Sequence, residues 1–170
     1  IAAGRLTKQK NYPLMIDAFE ILHEKHPDIM LEIYGEGELK SYLQKLIKTK
    51  NLENVIEILP FSSKINELML DSIAYISSSD YEGISNTMLE AMALGVPTVV
   101  TDCPVGGGRL MIKNEENGIL VPVNDVKALA DAMIRIVTDS SLRIKLSNNS
   151  RKIRATHSVD EICKQWISVL

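Results

Sequence analysis

The chain has 170 residues, 45% of them apolar and 24% charged, with a formal net charge of −3. That size carries one domain with a sizeable core and not two comfortable ones, and the composition lies in the ordinary globular range. The mild negative charge excludes a nucleic-acid or anionic-membrane footprint spread over the whole surface, and no apolar run approaches the roughly 20 residues that span a bilayer.

Ile1 to Ala3 read as the end of a buried strand, with neither Met nor a signal-peptide pattern before them. The expectation is therefore a domain cut from a longer protein, with the missing part upstream. A basic loop follows, carrying Arg5, Lys8 and Lys10 and no acid. Apolar residues at Leu14, Met15, Ala18, Phe19, Ile21 and Leu22 predict a helix over 12–24, with Pro13 in its first turn and Pro27 near its end. Residues 29–34 alternate and predict a second strand. Gly35-Glu36-Gly37 then turns the chain into an amphipathic helix through Leu39, Tyr42, Leu43, Leu46 and Ile47.

A third strand over 55–59 is left through Pro60-Phe61-Ser62. A short helix over 64–71, a fourth strand over 73–76 and the loop Ser77-Ser78-Ser79-Asp80 come next. Beyond a helix that starts near Ser85, the pattern predicts a fifth strand over 97–101 and a glycine loop at 106–108. A short helical segment near 110–112, the Asn117-Gly118 turn and a sixth strand over 119–121 complete it. The remainder reads as helices over 126–137, 140–155 and 158–170. Asp125 or Asn124 is available to cap the first of these, and Ser158 with Glu161 to box the last, which carries Trp166.

Strands alternating with helices at this interval predict an α/β fold, one three-layer Rossmann-like parallel sheet of about six strands flanked by helices over 1–170. Ligands of such sheets bind at the C-terminal strand edge. Five loops fall there, at 4–11, 35–38, 61–64, 77–85 and 101–108.

Within these loops Glu82 and Glu90 stand eight positions apart across a loop-to-helix junction. Two carboxylates accepting hydrogen bonds from vicinal hydroxyls fix a sugar. Free N–H groups where the helix begins, at Ser85, Asn86 and Thr87, form an anion site. Gly83 between the acids is expected to allow positive φ and leave room for a ligand. The competing reading of the acids is plain complementarity with the helix dipole. Arg5 offers a planar fork for phosphate oxygens and Lys10 a mobile point charge, unless the loop is merely solvated.

Gly35-Glu36-Gly37 is no dinucleotide fingerprint, because Lys40 stands where the third glycine would fall, and no Walker sequence occurs. The turn is either plain or a close backbone approach to a ligand. Cys103 and Cys163 have no metal or disulfide spacing and read as reduced thiols of a cytoplasmic protein, Cys103 as a buried filler. His23 and His26 lack further ligands for a metal, and three scattered histidines build no catalytic triad. The residues point to a nucleotide-sugar site.

On these residues the chain resembles the C-terminal, donor-binding domain of a retaining glycosyltransferase of the GT-B fold, glycosyltransferase family 4 (the group 1 glycosyltransferases). Gly4-Arg5-Leu6 with Lys10-Asn11 is similar to that family's opening loop, and Tyr34-Gly35-Glu36-Gly37 to its second-strand turn. Glu82-Gly83 through Glu90-Ala91-Met92-Ala93-Leu94-Gly95-Val96-Pro97 is similar to its E-x₇-E signature. Asn117-Gly118 with Leu120-Val121-Pro122 is similar to a later turn. The resemblance implies catalytic roles for Arg5 and Lys10 at the donor diphosphate and for Glu82 at the sugar hydroxyls, with Glu90 on the ribose. It implies backbone contacts to sugar and phosphates from Gly83, Ile84, Ser85, Asn86 and Thr87, with Gly4 in the phosphate loop. Gly35, Phe61 and Ser62 are implied near the base.

It further implies transfer of a hexose-type sugar from a UDP-sugar to a glycan or lipid-linked acceptor, with neither metal nor cofactor. Cell-surface polysaccharide or glycoconjugate synthesis is the implied setting. The acceptor would sit on the missing N-terminal domain, which would also make any peripheral membrane contact of a cytoplasmic enzyme. The last helix would pack on that domain, leaving Trp166 exposed in isolation. One departure is Arg109, which stands where many members carry a glutamate. A nucleotide-sugar-binding module without catalysis, or another GT-B-like enzyme such as an epimerase, uses the same residue types.

Overall fold

The computed structural model describes residues 1–168, apart from the side chain of Gln165. The last two residues of the expected final helix, Val169 and Leu170, lie outside the described residues. Six strands occur in the described chain: β1 (Ala2–Ala3), β2 (Leu31–Tyr34), β3 (Ile56–Leu59), β4 (Tyr75–Ser77), β5 (Thr98–Thr101) and β6 (Ile119–Val121). Between and after them run α1 (Tyr12–Lys25), α2 (Lys40–Thr49), α3 (Ile65–Leu70), α4 (Asn86–Leu94), α5 (Gly107–Met111), α6 (Val126–Thr138), α7 (Ser140–Ser150), α8 (Ile153–Thr156) and α9 (Val159–Ile167). No helix among the described residues is long and apolar enough to cross a membrane.

All strand pairs are parallel. They form two three-stranded sheets, β1-β2-β3 and β4-β5-β6, where a single sheet was expected. The sheets meet edge to edge through the backbone of Ile1, which donates to Ala74 O and accepts from Ile76 N, both at 2.9 Å. The strands therefore run in the spatial order 3-2-1-4-5-6. At the β1/β4 junction the chain's winding reverses, and the crevice outside the C-terminal ends of these two strands is where ligands of such sheets bind.

Period-two alternation assigns the two faces. Ile76 and Val99 join one core with α1, α2, α6 and α7, built on Met15, Phe19, Leu43, Leu129, Ile136 and Leu146. Tyr75 and Val100 join the other, against Met69, Met88, Met92 and Ile153. Burying each large side chain contributes roughly 1.5–3 kcal/mol.

Local signals set the helix ends. Asn11 begins α1 by accepting from Leu14 N, Ser85 begins α4 by accepting from Met88 N, and Asp125 begins α6 by accepting from Ala128 N. Gly95, at φ 81°, ends α4 in the left-handed conformation.

The expected helix over 140–155 is instead broken after Ser150. Arg151 Nε donates to Leu94 O at 3.3 Å and Arg154 Nε to Ala93 O, so both arginines satisfy the open carbonyls at the C-terminus of α4. The break lets Ile153 enter the core beside them. The short segment expected near 110–112 is α5, which starts earlier, within the glycine run.

Candidate functional site

The crevice between β1 and β4 is lined by the loops that follow them. The first passes through a single 3-10 turn, Lys8–Lys10, and the second spans Ser78 to Ser85. Hydrogen bonds stitch the two together: Asp80 N donates to Gln9 O at 2.9 Å, Ser78 Oγ to Lys10 O at 2.8 Å, Gln9 Nε2 to Tyr81 O at 2.9 Å and Asn11 Nδ2 to Asp80 Oδ1 at 2.7 Å. This seam brings Lys10 and Glu82 into a direct ion pair, with the two side chains only 16% and 24% exposed. Gln9 Nε2 and Ser79 Oγ lie 3.5 and 3.4 Å from the same carboxylate.

Behind the seam stand buried polar groups with satisfied partners. Thr101 Oγ1 donates to Ser79 O at 2.5 Å, and Cys103 Sγ to Glu82 O at 3.6 Å. Cys103 is thus buried as expected, and it also steadies the Glu82 loop. Tyr75 lies beneath the acids in hydrogen-bond contact with Ser85 and Ser77. Burial pushes its phenol well above the ordinary tyrosine range; the Ser85 and Ser77 hydroxyls pull it the other way, and the charges of Glu82 and Glu90 add smaller upward pushes. Tyr12, whose hydroxyl donates to Gly4 O at 3.2 Å, is raised chiefly by burial too. Both phenols stay neutral.

Arg5 is exposed, and its side chain makes no hydrogen bond or ion pair among the described residues; Glu90 is likewise exposed and unpaired. Gly83 does not adopt the positive φ expected of it. Its use is space, since a Cβ there meets nothing within 4 Å. Gly35 has a packing reason instead: a Cβ would fall 2.0 Å from Gly4 O, so the turn after β2 permits the loop after β1 to pass. Gly107 plays the same part against Gly83 O, at 1.9 Å.

Ile84 is exposed on the rim, while Ser85, Asn86 and Thr87 form the cap and first turn of α4. Phe61 lies on the loop after β3 and is 75% exposed, and Ser62 Oγ accepts from Lys64 N at 3.1 Å. Among the described residues neither makes a hydrogen bond with Lys10 or Glu82. Arg109 turns to Asp102, with Nε and Oδ1 2.7 Å apart. Among the described residues no three His, Cys, Asp or Glu side chains are placed to hold a metal ion, and His23 stacks on Phe19 instead.

Sequence reasoning missed Gln9, Asp80 and Tyr12. Only Asn11 carried a local signal, as a helix cap next to the Tyr12-Pro13 start. Two hollows, of 370 and 440 Å³, adjoin at the opposite edge of the strands. The first is mostly apolar with Asp28, Glu32 and Asp71 at its walls, so it repels rather than attracts a phosphate.

The family model described as glycosyl transferases group 1 matches residues 1–153. The chain belongs to the group 1 glycosyltransferase family. It is 30% identical over 194 residues to an uncharacterised glycosyltransferase of Methanocaldococcus jannaschii, an alignment covering 98% of this chain and 48% of the relative. It is 34% identical over 155 residues to the N-acetylgalactosamine-N,N'-diacetylbacillosaminyl-diphospho-undecaprenol 4-alpha-N-acetylgalactosaminyltransferase of Campylobacter jejuni, covering 91% of this chain and 41% of that one. Among solved structures, a mutant TarM of Staphylococcus aureus in complex with fondaparinux, alpha-GlcNAc-glycerol and UDP superposes with a TM-score of 0.92 at 27% identity, over 98% of this chain and 34% of that chain. The chain thus spans about half the length, or less, of the curated relatives it matches. Its α/β architecture is that of the GT-B glycosyltransferases.

Proposed function

We propose that this group 1 chain is the donor-binding half of a retaining glycosyltransferase. It would supply a hexose-type sugar from a UDP-sugar to a glycan or lipid-linked acceptor. The observation that carries the reading is the β1/β4 crevice, where Lys10 meets Glu82, with Arg5 exposed on the same loop as Lys10 and Glu90 exposed on α4. A diphosphate matches the cations and the start of α4, while sugar and ribose hydroxyls match the carboxylates.

In transfer, the bond from sugar C1 to the diphosphate oxygen breaks and the acceptor oxygen bonds to C1. The nucleoside diphosphate leaves with the electron pair. Arg5 and Lys10 neutralise the charge that builds on it, which is electrostatic stabilisation by fixed side chains. We place the acceptor site, and any membrane contact, on an upstream domain, so this chain alone binds nucleotide and transfers no sugar. The UDP held by the TarM complex and the lipid-linked substrate named for the Campylobacter relative support this division.

Calorimetric titration of the chain with UDP, GDP and ADP, in the presence of EDTA, tests it. UDP is expected to bind tightest, with no need for metal. No heat from any of the three at millimolar concentration would overturn the donor-site reading.

A further inference from the structure

The ion pair at the centre of the crevice sets two demands against each other. Lys10 is one of two cations available to a diphosphate, yet its ammonium is paired with Glu82. A dianionic ligand arriving there finds Arg5 free and Lys10 already neutralised. The backbone of Lys10 cannot shift to serve both partners. Its N–H donates to Thr7 O at 3.1 Å and its carbonyl accepts from Ser78 Oγ at 2.8 Å.

Only the side chain can move. It runs over Gly4, where a Cβ would stand 3.2 Å from Lys10 Cε. Glu82 is less free, with Gln9 and Ser79 near its carboxylate and Cys103 holding its carbonyl. The lysine therefore changes partner while the glutamate stays.

We propose that Glu82 competes with the donor diphosphate for Lys10, yielding the ammonium when the donor binds and retaking it once the sugar has left, and so promotes release of the nucleoside diphosphate. This rests on the donor-site reading and extends it. With a sugar nucleotide bound, hydroxyls compensate Glu82 for the lysine it gives up. With the product alone bound, nothing does, and the carboxylate draws Lys10 back.

The consequence is opposite in sign to that of a simple ligand contact. In titrations of the chain with UDP and with inorganic pyrophosphate, Glu82→Gln is expected to tighten both, by about three- to tenfold for a half-buried pair that no longer has to be broken. Thermal unfolding checks that the variant folds. In a Lys10→Gln background the same substitution should change neither affinity.

Weaker or unchanged UDP binding by folded Glu82→Gln overturns the proposal while leaving the donor site intact, provided the unsubstituted chain binds UDP. Tightening that persists in the Lys10→Gln background also overturns it, because it assigns the effect to the general field of the carboxylate. Absence of binding of UDP, GDP, ADP and pyrophosphate by every variant sinks the donor site itself, and this proposal with it.

Discussion

Asn11 holds a left-handed backbone, at φ 42° and ψ 49°, and uses both ends of its side-chain amide. The oxygen accepts from Leu14 N and caps α1, while Nδ2 donates to Asp80 at 2.7 Å and to Asn124 at 3.1 Å. One residue thus starts a helix and ties the loop bearing Lys10 to the loop bearing Glu82. Substitutions separate the two tasks. Asn11→Ala loses the cap, the amide bonds and the tolerance of left-handed φ, at a cost of about 2 kcal/mol. Asn11→Gly keeps the backbone freedom and costs less. Both are expected to weaken UDP binding several-fold, whereas the fall in unfolding temperature should be clearly larger for alanine. Unchanged UDP affinity in both variants would reduce Asn11 to a helix cap.

At the scale of elements, the strand-edge loops are held at contact distance by glycines, and these divide into two kinds. Gly35→Ala and Gly107→Ala drive a methyl into the carbonyls of Gly4 and Gly83, so each is expected to lose about 1–3 kcal/mol and lower the unfolding temperature. Gly83→Ala enters open space and is expected to leave stability within about 0.5 kcal/mol while weakening UDP-sugar binding. Normal sugar-nucleotide affinity in folded Gly83→Ala would mean that this face of the loop meets no ligand.

The same glycines show what a sequence displays and what it hides. That Gly35 turns the chain is local information, and so are the Ser85 and Gly95 ends of α4 and the Pro97 that precedes β5. The reason Gly35 must be glycine is the carbonyl of Gly4, on another loop. The Lys10–Glu82 pair joins residues 72 apart, and no periodicity signals it. The break after Ser150 is hidden for a related reason. Arg151 and Lys152 are good helix formers and keep helical backbone angles, but the turn tightens to i→i+3 bonds where Arg151 and Arg154 reach the carbonyls of α4.

For the whole molecule, the two cores close around the sheets and leave one element with its apolar side uncovered. On α9, Val159, Ile162, Cys163 and Trp166 follow the i, i+3, i+4, i+7 spacing of a single helix stripe. Yet Val159 is 79% exposed, Trp166 70% and the neighbouring Ile167 71%. A stripe of this kind is built to be buried against something. The group 1 relatives run to about twice this length, and the remainder of a longer protein is the surface we expect to cover it. Trp166 is the sole tryptophan of the chain, so its fluorescence reports on that stripe alone. In these 170 residues acrylamide should quench it almost freely, with emission at the red end of the tryptophan range. In the full-length protein, with its other tryptophans replaced by phenylalanine, quenching should fall several-fold and emission should shift to the blue. Equal quenching in the two proteins would show that the remainder of the longer protein does not cover α9, and its stripe would need another explanation.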